Sequence, residues 1–248
     1  ASCLVGSEMC IRDRLYRYIE NKNGLLFING EDETLLKLTK SKNLIRYGIN
    51  SHHNTIGKLE QTHPNIKATW TSQNQSGNIN SPLYGEYNFY NMMAAICIGN
   101  HFKLTSQEID QGINSYNSSN NRSELIEYKG AKIYLDAYNA NPSSMEYAIR
   151  NFSKNKSQRK IVILGDMFEV GKDSFQEHEN LVNFVLNQNF DYCVFTGLNF
   201  FEHLRKVSHG KFFKSTEEVK KWFNTADING FEILIKGSRG MKLESLME

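Results

Sequence analysis

The sequence predicts an α/β protein whose second half forms a doubly wound parallel sheet. Short apolar runs rich in β-branched residues alternate there with helical patterns, which is typical of parallel strands covered by helices. Three of these runs end in polar loops that contain glycine. The predicted strands are 132–135, 161–164, 192–196, 211–214 and 233–235, and the predicted helices are 144–152, 174–188, 200–207, 216–223 and 243–247.

Composition narrows the class of protein. The chain has 248 residues, 40% of them hydrophobic and 23% charged, which suits one large globular domain or two modest ones. A net charge of +2 gives no argument for a nucleic-acid or membrane partner. No apolar run approaches the roughly 20 residues of a membrane helix, and no secretory leader is visible. Four scattered cysteines indicate reduced thiols, so we expect a cytoplasmic location. We also expect the protein to be a monomer.

The first half is less regular than the second. Its patterns predict helices at 15–20, 34–38, 86–102 and 106–116, and a strand at 25–28. Between residues 42 and 83 the chain is polar, which predicts a few strands at a solvated sheet edge. The stretch 117–121, Asn-Ser-Ser-Asn-Asn, is a polar hinge. We therefore expect one domain over residues 15–119 and a second over residues 120–248.

The first 14 residues, ASCLVGSEMCIRDR, lack periodicity and do not prepare the helix that follows. They resemble translated read-through of a sequencing adaptor, so we interpret residues 1–14 as non-native. On this interpretation the native chain continues upstream. A short disordered native tail is the alternative.

Candidate chemistry lies where three predicted strands end. One loop runs from Asp136 to Asn141, the second from Gly165 to Gly171, and the third from Lys236 to Gly240. Parallel strands would bring the loops to one rim, where open α/β sheets bind ligands. The carboxylates, cations and amides of these loops suit a polar, anionic ligand with phosphate or carboxylate groups.

Several other classes of site are disfavoured. The sequence has no GxGxxG after a strand, no GxxxxGK[ST] and no GxSxG. The seven histidines form no metal pattern. His52 and His53 lie in a polar loop and are expected to be solvated, whereas His178 is expected to be a structural residue in the first turn of a helix. A role for His178 in the site stays open.

Five motifs together resemble the Mur ligases. They are GEYNFYN at 85–91, NRS at 121–123, DAYNANP at 136–142, LGDMFEVG at 164–171 and KGSR at 236–239. The resemblance runs from about residue 15 to the C-terminus. One departure is Tyr87, which stands where the family's GxHNxxN motif has histidine. Tyrosine cannot act as a cation, so any charge role at this position is in doubt.

The resemblance implies the C-terminal part of a central ATPase domain followed by a Rossmann-like C-terminal domain. It also implies an ATP-dependent amide ligase of peptidoglycan synthesis that forms an acyl phosphate. Its substrates would be UDP-N-acetylmuramoyl-tripeptide and D-alanyl-D-alanine, with ATP bound between the two domains and Mg²⁺ as the metal. The family's P-loop and its metal ligands would precede residue 15.

The resemblance also assigns roles to residues. Asn88 and Asn91 would contact adenine, because an amide both donates to and accepts from a purine edge. Asp136 would accept from the ribose hydroxyls and Arg122 would lie at the nucleotide. The cleft would be shaped by Tyr138, Asn139 and Asn141. The dipeptide or the phosphoryl intermediate would be faced by Lys236, Ser238 and Arg239. The dipeptide ammonium would be held by Asp166 and Glu169, or these two would only brace their loop.

Three alternatives remain at this point. One is another ligase of the superfamily, of the folylpolyglutamate or cyanophycin type, against which the YNANP and KGSR motifs argue. The second is a non-catalytic module that binds a nucleotide or peptide without a P-loop. The third is a piece that barely folds because it exposes strand edges and apolar faces.

The first prediction concerns the 248-residue polypeptide itself. The P-loop lysine and the metal supply most of the charge stabilisation in phosphoryl transfer, so we expect this polypeptide alone not to form the acyl phosphate. Phosphate release from ATP with both substrates present should stay at background. Turnover at the rate of an intact ligase would contradict this expectation.

Overall fold

The computed structural model describes residues 7–118, 122–155, 157, 159–203 and 210–248, and side chains from residue 13 onward within these ranges. The chain divides into two compact units, Ala1–Tyr116 and Asn117–Glu248, which we call unit 1 and unit 2. The division falls at the start of the predicted polar hinge, of which residues 119–121 lie outside the described residues. The domain limits at 15–119 and 120–248 stay a prediction.

Unit 1 contains a five-stranded mixed sheet in the order β1-β2-β3-β4-β5. The first three strands are parallel to one another, whereas β3, β4 and β5 form an antiparallel meander. The strands are β1 Leu26–Asn29, β2 Leu44–Gly48, β3 Thr55–Gln61, β4 Ile66–Ser72 and β5 Ser76–Ser81. The helices are α1 Ser7–Asn21, α2 Glu33–Leu38, α3 Glu86–His101 and α4 Ser106–Ser115.

Helix α3 buries the meander, so the expected solvated edge over residues 42–83 is only half right. Strand β4 alternates buried Ile66, Ala68 and Trp70 with polar residues, and the buried set packs in one core with α3. From α3 this core receives Phe89 and Met93, among others. Period-2 alternation puts one face of a strand in the core and the other in solvent. The polar composition of the segment reflects the second face.

Helix α1 begins at Ser7, eight residues before the predicted start at residue 15. The helix therefore continues into the segment interpreted as non-native, and the expectation that this segment does not prepare the helix is wrong. Residues 1–6 lie outside the described residues, and the non-native origin of residues 1–14 stays a prediction.

Unit 2 contains a six-stranded sheet in the order β10-β9-β8-β11-β7-β6. Strands β7 to β11 are all parallel, which confirms the predicted parallel sheet. The strands are β6 Glu124–Tyr128, β7 Ala131–Asp136, β8 Lys160–Gly165, β9 Tyr192–Thr196, β10 Lys211–Phe213 and β11 Glu232–Lys236. The helices are α5 Pro142–Ser153, α6 Ser174–Leu186, α7 Leu198–Phe201 and α8 Thr216–Thr225.

Helices cover both faces of this sheet, as expected for a doubly wound fold. Ile133 on β7 belongs to one core with Val219 and Phe223 of α8. The next residue of the strand, Tyr134, points to the other face, where its ring meets Phe152 of α5 with centroids 5.6 Å apart. Right-handed crossovers in opposite directions along the sheet place their helices on opposite faces.

The prediction for unit 2 needs correction at three elements. Strand β6 was not predicted; it pairs antiparallel to β7 through a tight turn at Lys129 and Gly130, both with positive φ. The helix predicted at 200–207 begins earlier, at Leu198, and residues 204–209 lie outside the described residues. The segment Leu243–Met247 is a 3₁₀ helix.

Candidate active site

The three candidate loops follow neighbouring strands of unit 2. Strand β11 lies between β8 and β7, and Lys236 at its end pairs in register with Asp136 on one side and Leu164 on the other. All three strands are parallel, so their carboxyl ends meet at one edge of the sheet, which we call the rim. The structure thereby brings the three loops together as the sequence predicted.

A buried ion pair joins two of the loops. The Lys236 ammonium lies 2.5 Å from Asp136 Oδ2 and donates to the Asn139 carbonyl oxygen at 3.2 Å. The Lys236 side chain is 3% exposed and that of Asp136 is 17% exposed. A buried cation has to be paired and hydrogen-bonded to be tolerated. The pair therefore fixes the carboxylate, and Asp136 Oδ1 has no hydrogen-bond partner among the described residues.

Two guanidinium groups lie close to the Tyr138 ring. The Arg122 carbon Cζ lies 3.6 Å from the centre of the Tyr138 ring, and the Arg239 Cζ lies 5.2 Å from the same centre. Both distances are within the range of cation–π attraction. Arg122 and Arg239 are themselves exposed. Two exposed guanidinium cations on one ring make this part of the rim suited to an anion.

Asp166 is placed as a brace. Its carboxylate accepts from the amides of Asn199 at 3.0 Å and Phe200 at 3.1 Å, and from the Asn199 side chain at 3.0 Å. The residue is 2% exposed. A carboxylate with three donors already in place holds the β9–α7 turn against the β8 loop. These contacts are those of the bracing alternative, whereas contact with a dipeptide ammonium stays a prediction.

Ser238 ties the β8 and β11 loops together. Its Oγ accepts from the Phe168 amide at 2.9 Å, and its own amide donates to the Asp166 carbonyl at 3.2 Å. The two strand ends also approach closely at glycines. A Cβ built on Gly237 would lie 3.0 Å from the Gly165 Cα and 2.8 Å from Leu243. Gly237 is therefore required by its close approach to the Gly165 backbone, whereas a Cβ on Gly165 would meet only side chains.

Two more residues of these loops have different surroundings, one facing solvent and the other capping a helix. Glu169 is exposed, and its Oε2 accepts from Asn139 Nδ2 at 3.4 Å. Asn141 instead caps α5: its Oδ1 accepts from the Ser144 amide at 2.8 Å, in a capping box that precedes Pro142 at the helix start. The side chain of Asn141 therefore sets where α5 begins.

His178 is buried and linked to the β8 loop. Its Nε2 accepts from the Met167 amide at 3.0 Å, and its Nδ1 lies 2.6 Å from the Ser174 carbonyl. With Nε2 as an acceptor, Nδ1 is assigned as the donor, so the imidazole connects the β8 loop to the first turn of helix α6. The described contacts are structural, as the sequence predicted, and they explain how helix α6 positions Met167.

In unit 1, the predicted adenine residues lie in the first two turns of α3. Asn88 is buried, and its Nδ2 donates to the Tyr84 carbonyl at 2.8 Å, while its Oδ1 accepts from Asn91 at 3.4 Å. Asn91 is exposed. The Tyr87 ring lies over Gly85, whose φ of +85° requires glycine. The two asparagines thus form one small amide network.

A second feature of unit 1 was missed because His53 was expected to be solvated. His52 is exposed, but the His53 side chain is 1% exposed and lies 3.0 Å from Glu31 Oε1. Burial raises the pKa of Glu31, but hydrogen bonds from the amides of Ile49 and Asn50 and from His53 outweigh it and hold the pKa below its ordinary value. The signal that could have revealed this packing is the pair of glycines at 30 and 48. A Cβ on either would collide with the imidazole.

A polar cavity of about 430 Å³ also lies in unit 1, between β2, the β4–β5 turn and the C-terminal half of α3. None of the predicted site residues lines it. Within the described ranges no cluster of three or more His, Cys, Asp or Glu side chains could hold a metal ion. The described helices include none with the length and apolar character needed to cross a membrane.

Comparison with protein families explains the two units. Residues 13–99 match the model of the Mur ligase middle domain, and residues 121–239 match the Mur ligase, glutamate ligase domain. The chain belongs to the Mur ligase family. Within it, the chain is 31% identical over 242 residues to the UDP-N-acetylmuramoyl-tripeptide–D-alanyl-D-alanine ligase of Bacillus subtilis, covering 92% of this chain and 51% of that protein.

Other relatives agree. The ligase of the same name from Haemophilus influenzae is 26% identical over 245 residues, covering 95% of this chain and 53% of its own length. The crystal structure of MurF from Acinetobacter baumannii superposes with a TM-score of 0.78 at 22% identity, over 95% of this chain and 53% of that one. MurF of Thermotoga maritima, solved with ADP, gives 0.72 at 19% identity over 90% and 52%. The chain spans about half the length of the relatives it matches.

The ion pair at the rim generates the second prediction. Lys236→Met removes the cation and leaves Asp136 partly buried without its partner, so unit 2 should lose about 3 kcal/mol of unfolding free energy, the lower end for a buried pair. Asp136→Asn combined with Lys236→Met should cost less than the sum of the two single changes, because the variants share one interaction. Urea unfolding read from Trp222, the tryptophan of unit 2, in a Trp70→Phe background measures both.

The matched control is Lys172→Met, at an exposed lysine in the β8–α6 connection. Such a surface change should stay within about 0.5 kcal/mol of the parent. Equal effects at Lys236 and Lys172, or strict additivity of the Asp136 and Lys236 changes, would contradict the structural role of the pair.

Proposed function

We propose that the protein containing this chain is an ATP-dependent amide ligase that joins D-alanyl-D-alanine to UDP-N-acetylmuramoyl-tripeptide. The observation that carries the proposal is the convergence of the DAYNANP, LGDMFEVG and KGSR loops at one rim of unit 2, in a chain of the Mur ligase family. Relatives with that ligase name match most of the chain. The activity, the substrates and the role in peptidoglycan synthesis are proposed for the whole protein.

The proposed reaction has two steps. A carboxylate oxygen of the tripeptide attacks the γ-phosphorus of ATP, an oxygen–phosphorus bond forms, and ADP leaves. The deprotonated amine of the dipeptide then attacks the acyl carbon, and a tetrahedral intermediate collapses to the amide with release of phosphate. Both steps build negative charge on oxygen, which fixed cations stabilise.

Residues of both units are assigned to parts of the nucleotide. In unit 2, Asp136 Oδ1 is held in place by the Lys236 pair and remains available to accept from ribose hydroxyls. Arg122 is assigned to the phosphates and Tyr138 to the wall of the nucleotide site. In unit 1, the Asn88–Asn91 amide pair is assigned to adenine.

The dipeptide and the intermediate are assigned to the β11 loop. Arg239 is exposed beside Tyr138 and can reach an anion with a bidentate fork. Lys236 acts on the charge of the site through Asp136, because it is buried. Ser238 positions the loop through its bond with Phe168. Asn139 and Glu169 complete the wall between the two loops.

The proposal also includes Mg²⁺ as the ion that accompanies ATP, a cytoplasmic location and a monomeric state. No residue of the described ranges is assigned to the metal. The metal would offset the charge of the phosphates during transfer. Asp136 and Lys236 neutralise each other, so Arg122 and Arg239 are the cations of the rim assigned to anionic groups of the substrates.

The rival functions differ in what they bind. A folylpolyglutamate-type ligase shares the fold, since the Thermotoga maritima synthase superposes with a TM-score of 0.67, but at 13% identity this likeness concerns the fold alone. Such an enzyme would use a single amino acid as its amine substrate. A non-catalytic module would bind nucleotide without consuming it.

The third prediction is tested on the protein encoded by the complete reading frame that contains this sequence. With ATP, Mg²⁺, the UDP-linked tripeptide and D-alanyl-D-alanine, mass spectrometry should detect the UDP-linked pentapeptide with one phosphate released per product. Replacing the dipeptide by L-glutamate should abolish product. Product with glutamate, or nucleotide binding without product, would favour one of the two rivals.

Arg239→Ala in that protein is the fourth prediction. Losing a charge-assisted bidentate contact of about 1.5–3 kcal/mol should raise the KM for the dipeptide roughly 10- to 100-fold. The KM for ATP should change little, since Arg239 is assigned to the dipeptide. Arg150→Ala, at an exposed arginine of α5 paired with Glu146, is the control and should leave both constants unchanged. An equal rise for both substrates would argue against the assignment.

A further inference from the structure

The rim carries an aromatic side chain that none of the roles above uses. Phe168 follows β8 in the LGDMFEVG loop, and its side chain is 55% exposed. A single exposed apolar residue is ordinary on a protein surface. What distinguishes Phe168 is how firmly its position is fixed by the neighbouring loop.

Two contacts with the β11 loop hold Phe168, one through its backbone and one through its ring. Its backbone amide donates to Ser238 Oγ at 2.9 Å. The ring edge lies against Gly240, where a built Cβ would be 2.8 Å from Phe168 Cε2. A residue with a side chain at this position would have to displace the ring. The ring is therefore held in place while most of its surface faces solvent.

Each of the two loops at Phe168 also carries an exposed charged residue. Arg239 stands between Ser238 and Gly240, the two residues that contact Phe168. Glu169 is the next residue after Phe168, and it bonds with Asn139, whose carbonyl accepts from Lys236. The two loops that hold the exposed Phe168 ring thus also carry an exposed cation, Arg239, and an exposed carboxylate, Glu169.

This set of groups matches a zwitterionic dipeptide with small apolar side chains. The fork of an arginine pairs with a carboxylate, a glutamate pairs with an ammonium, and a ring face packs against methyl groups. A dipeptide without methyl groups would make the two charged contacts but not the apolar one. The ring is then the part of the site that can distinguish alanine from glycine.

We propose that Phe168 is a specificity-determining residue whose ring packs against the methyl side chains of the incoming D-alanyl-D-alanine. Arg239 takes the terminal carboxylate and Glu169 the ammonium before the amine is deprotonated. This inference rests on the proposed function, because it takes the dipeptide as the ligand of the rim. It adds to that function the residue that selects the dipeptide by its side chains.

The test measures dipeptide binding to the 248-residue chain by amide chemical-shift titration. D-alanyl-D-alanine should bind roughly 3- to 10-fold more tightly than glycyl-glycine, as expected for methyl groups against a half-open apolar surface. Phe168→Ala should remove that difference by weakening D-alanyl-D-alanine alone, and Phe168→Leu should keep most of it. Saturation of aromatic protons should transfer to the dipeptide methyl signals in the parent and not in Phe168→Ala.

Phe175→Ala is the matched control, at another exposed phenylalanine of unit 2, and should leave the ratio of the two affinities unchanged. Trp222 fluorescence checks that each variant is folded. If the parent prefers D-alanyl-D-alanine and Phe168→Ala keeps that preference, or weakens both dipeptides equally, the role of Phe168 is overturned while the proposed function stands. If the folded parent binds neither dipeptide, the inference fails, and the ligase assay above decides separately whether the proposed function fails too.

Discussion

Burial of one ammonium group is the constraint on which the candidate site depends. The Lys236 side chain is almost fully buried at the end of the central strand β11, so its charge has to be balanced within reach of that strand end. The neighbouring strand β7 supplies Asp136 in register, and the chain beyond it turns back so that the Asn139 carbonyl becomes the second acceptor. This fixes the path of the DAYNANP loop, the start of α5 at Asn141 and the position of Tyr138, around which Arg122 and Arg239 gather.

The motifs at this rim contain two groups of residues, one that holds the loops together and one that is exposed. Gly165, Gly237, Asp166, Ser238 and His178 hold strand ends and loops together through backbone packing and hydrogen bonds. Arg122, Phe168, Glu169 and Arg239 are exposed and belong to the same loops. A motif such as LGDMFEVG therefore joins residues that build the rim with residues that face solvent. Substitution in the first group should act through folding, and in the second through binding.

Local sequence predicted much of this arrangement. Buried parallel strands are nearly continuous apolar runs, so β7, β8, β9 and β11 were visible, and their polar ends marked the rim. Strand β6 was missed because it is an edge strand with a weak pattern, although Lys129-Gly130 between two β-rich runs is a hairpin signal. The burial of His53 and the pairing of Lys236 with Asp136 depend on partners distant in sequence. No local pattern specifies such contacts.

The central claim is that the carboxyl rim of unit 2 is where this chain meets its ligands. The most direct measurement is a residue-resolved map of amide chemical shifts in the 248-residue chain as ADP is added. The account predicts that, within unit 2, shifts concentrate at Arg122 and residues 136–141 and extend to Lys236 through its pair with Asp136, with little change at Gly130 and Gly230, which lie in turns at the opposite end of the sheet. Shifts centred on those opposite turns, or no shifts in unit 2 at saturating nucleotide, would contradict it.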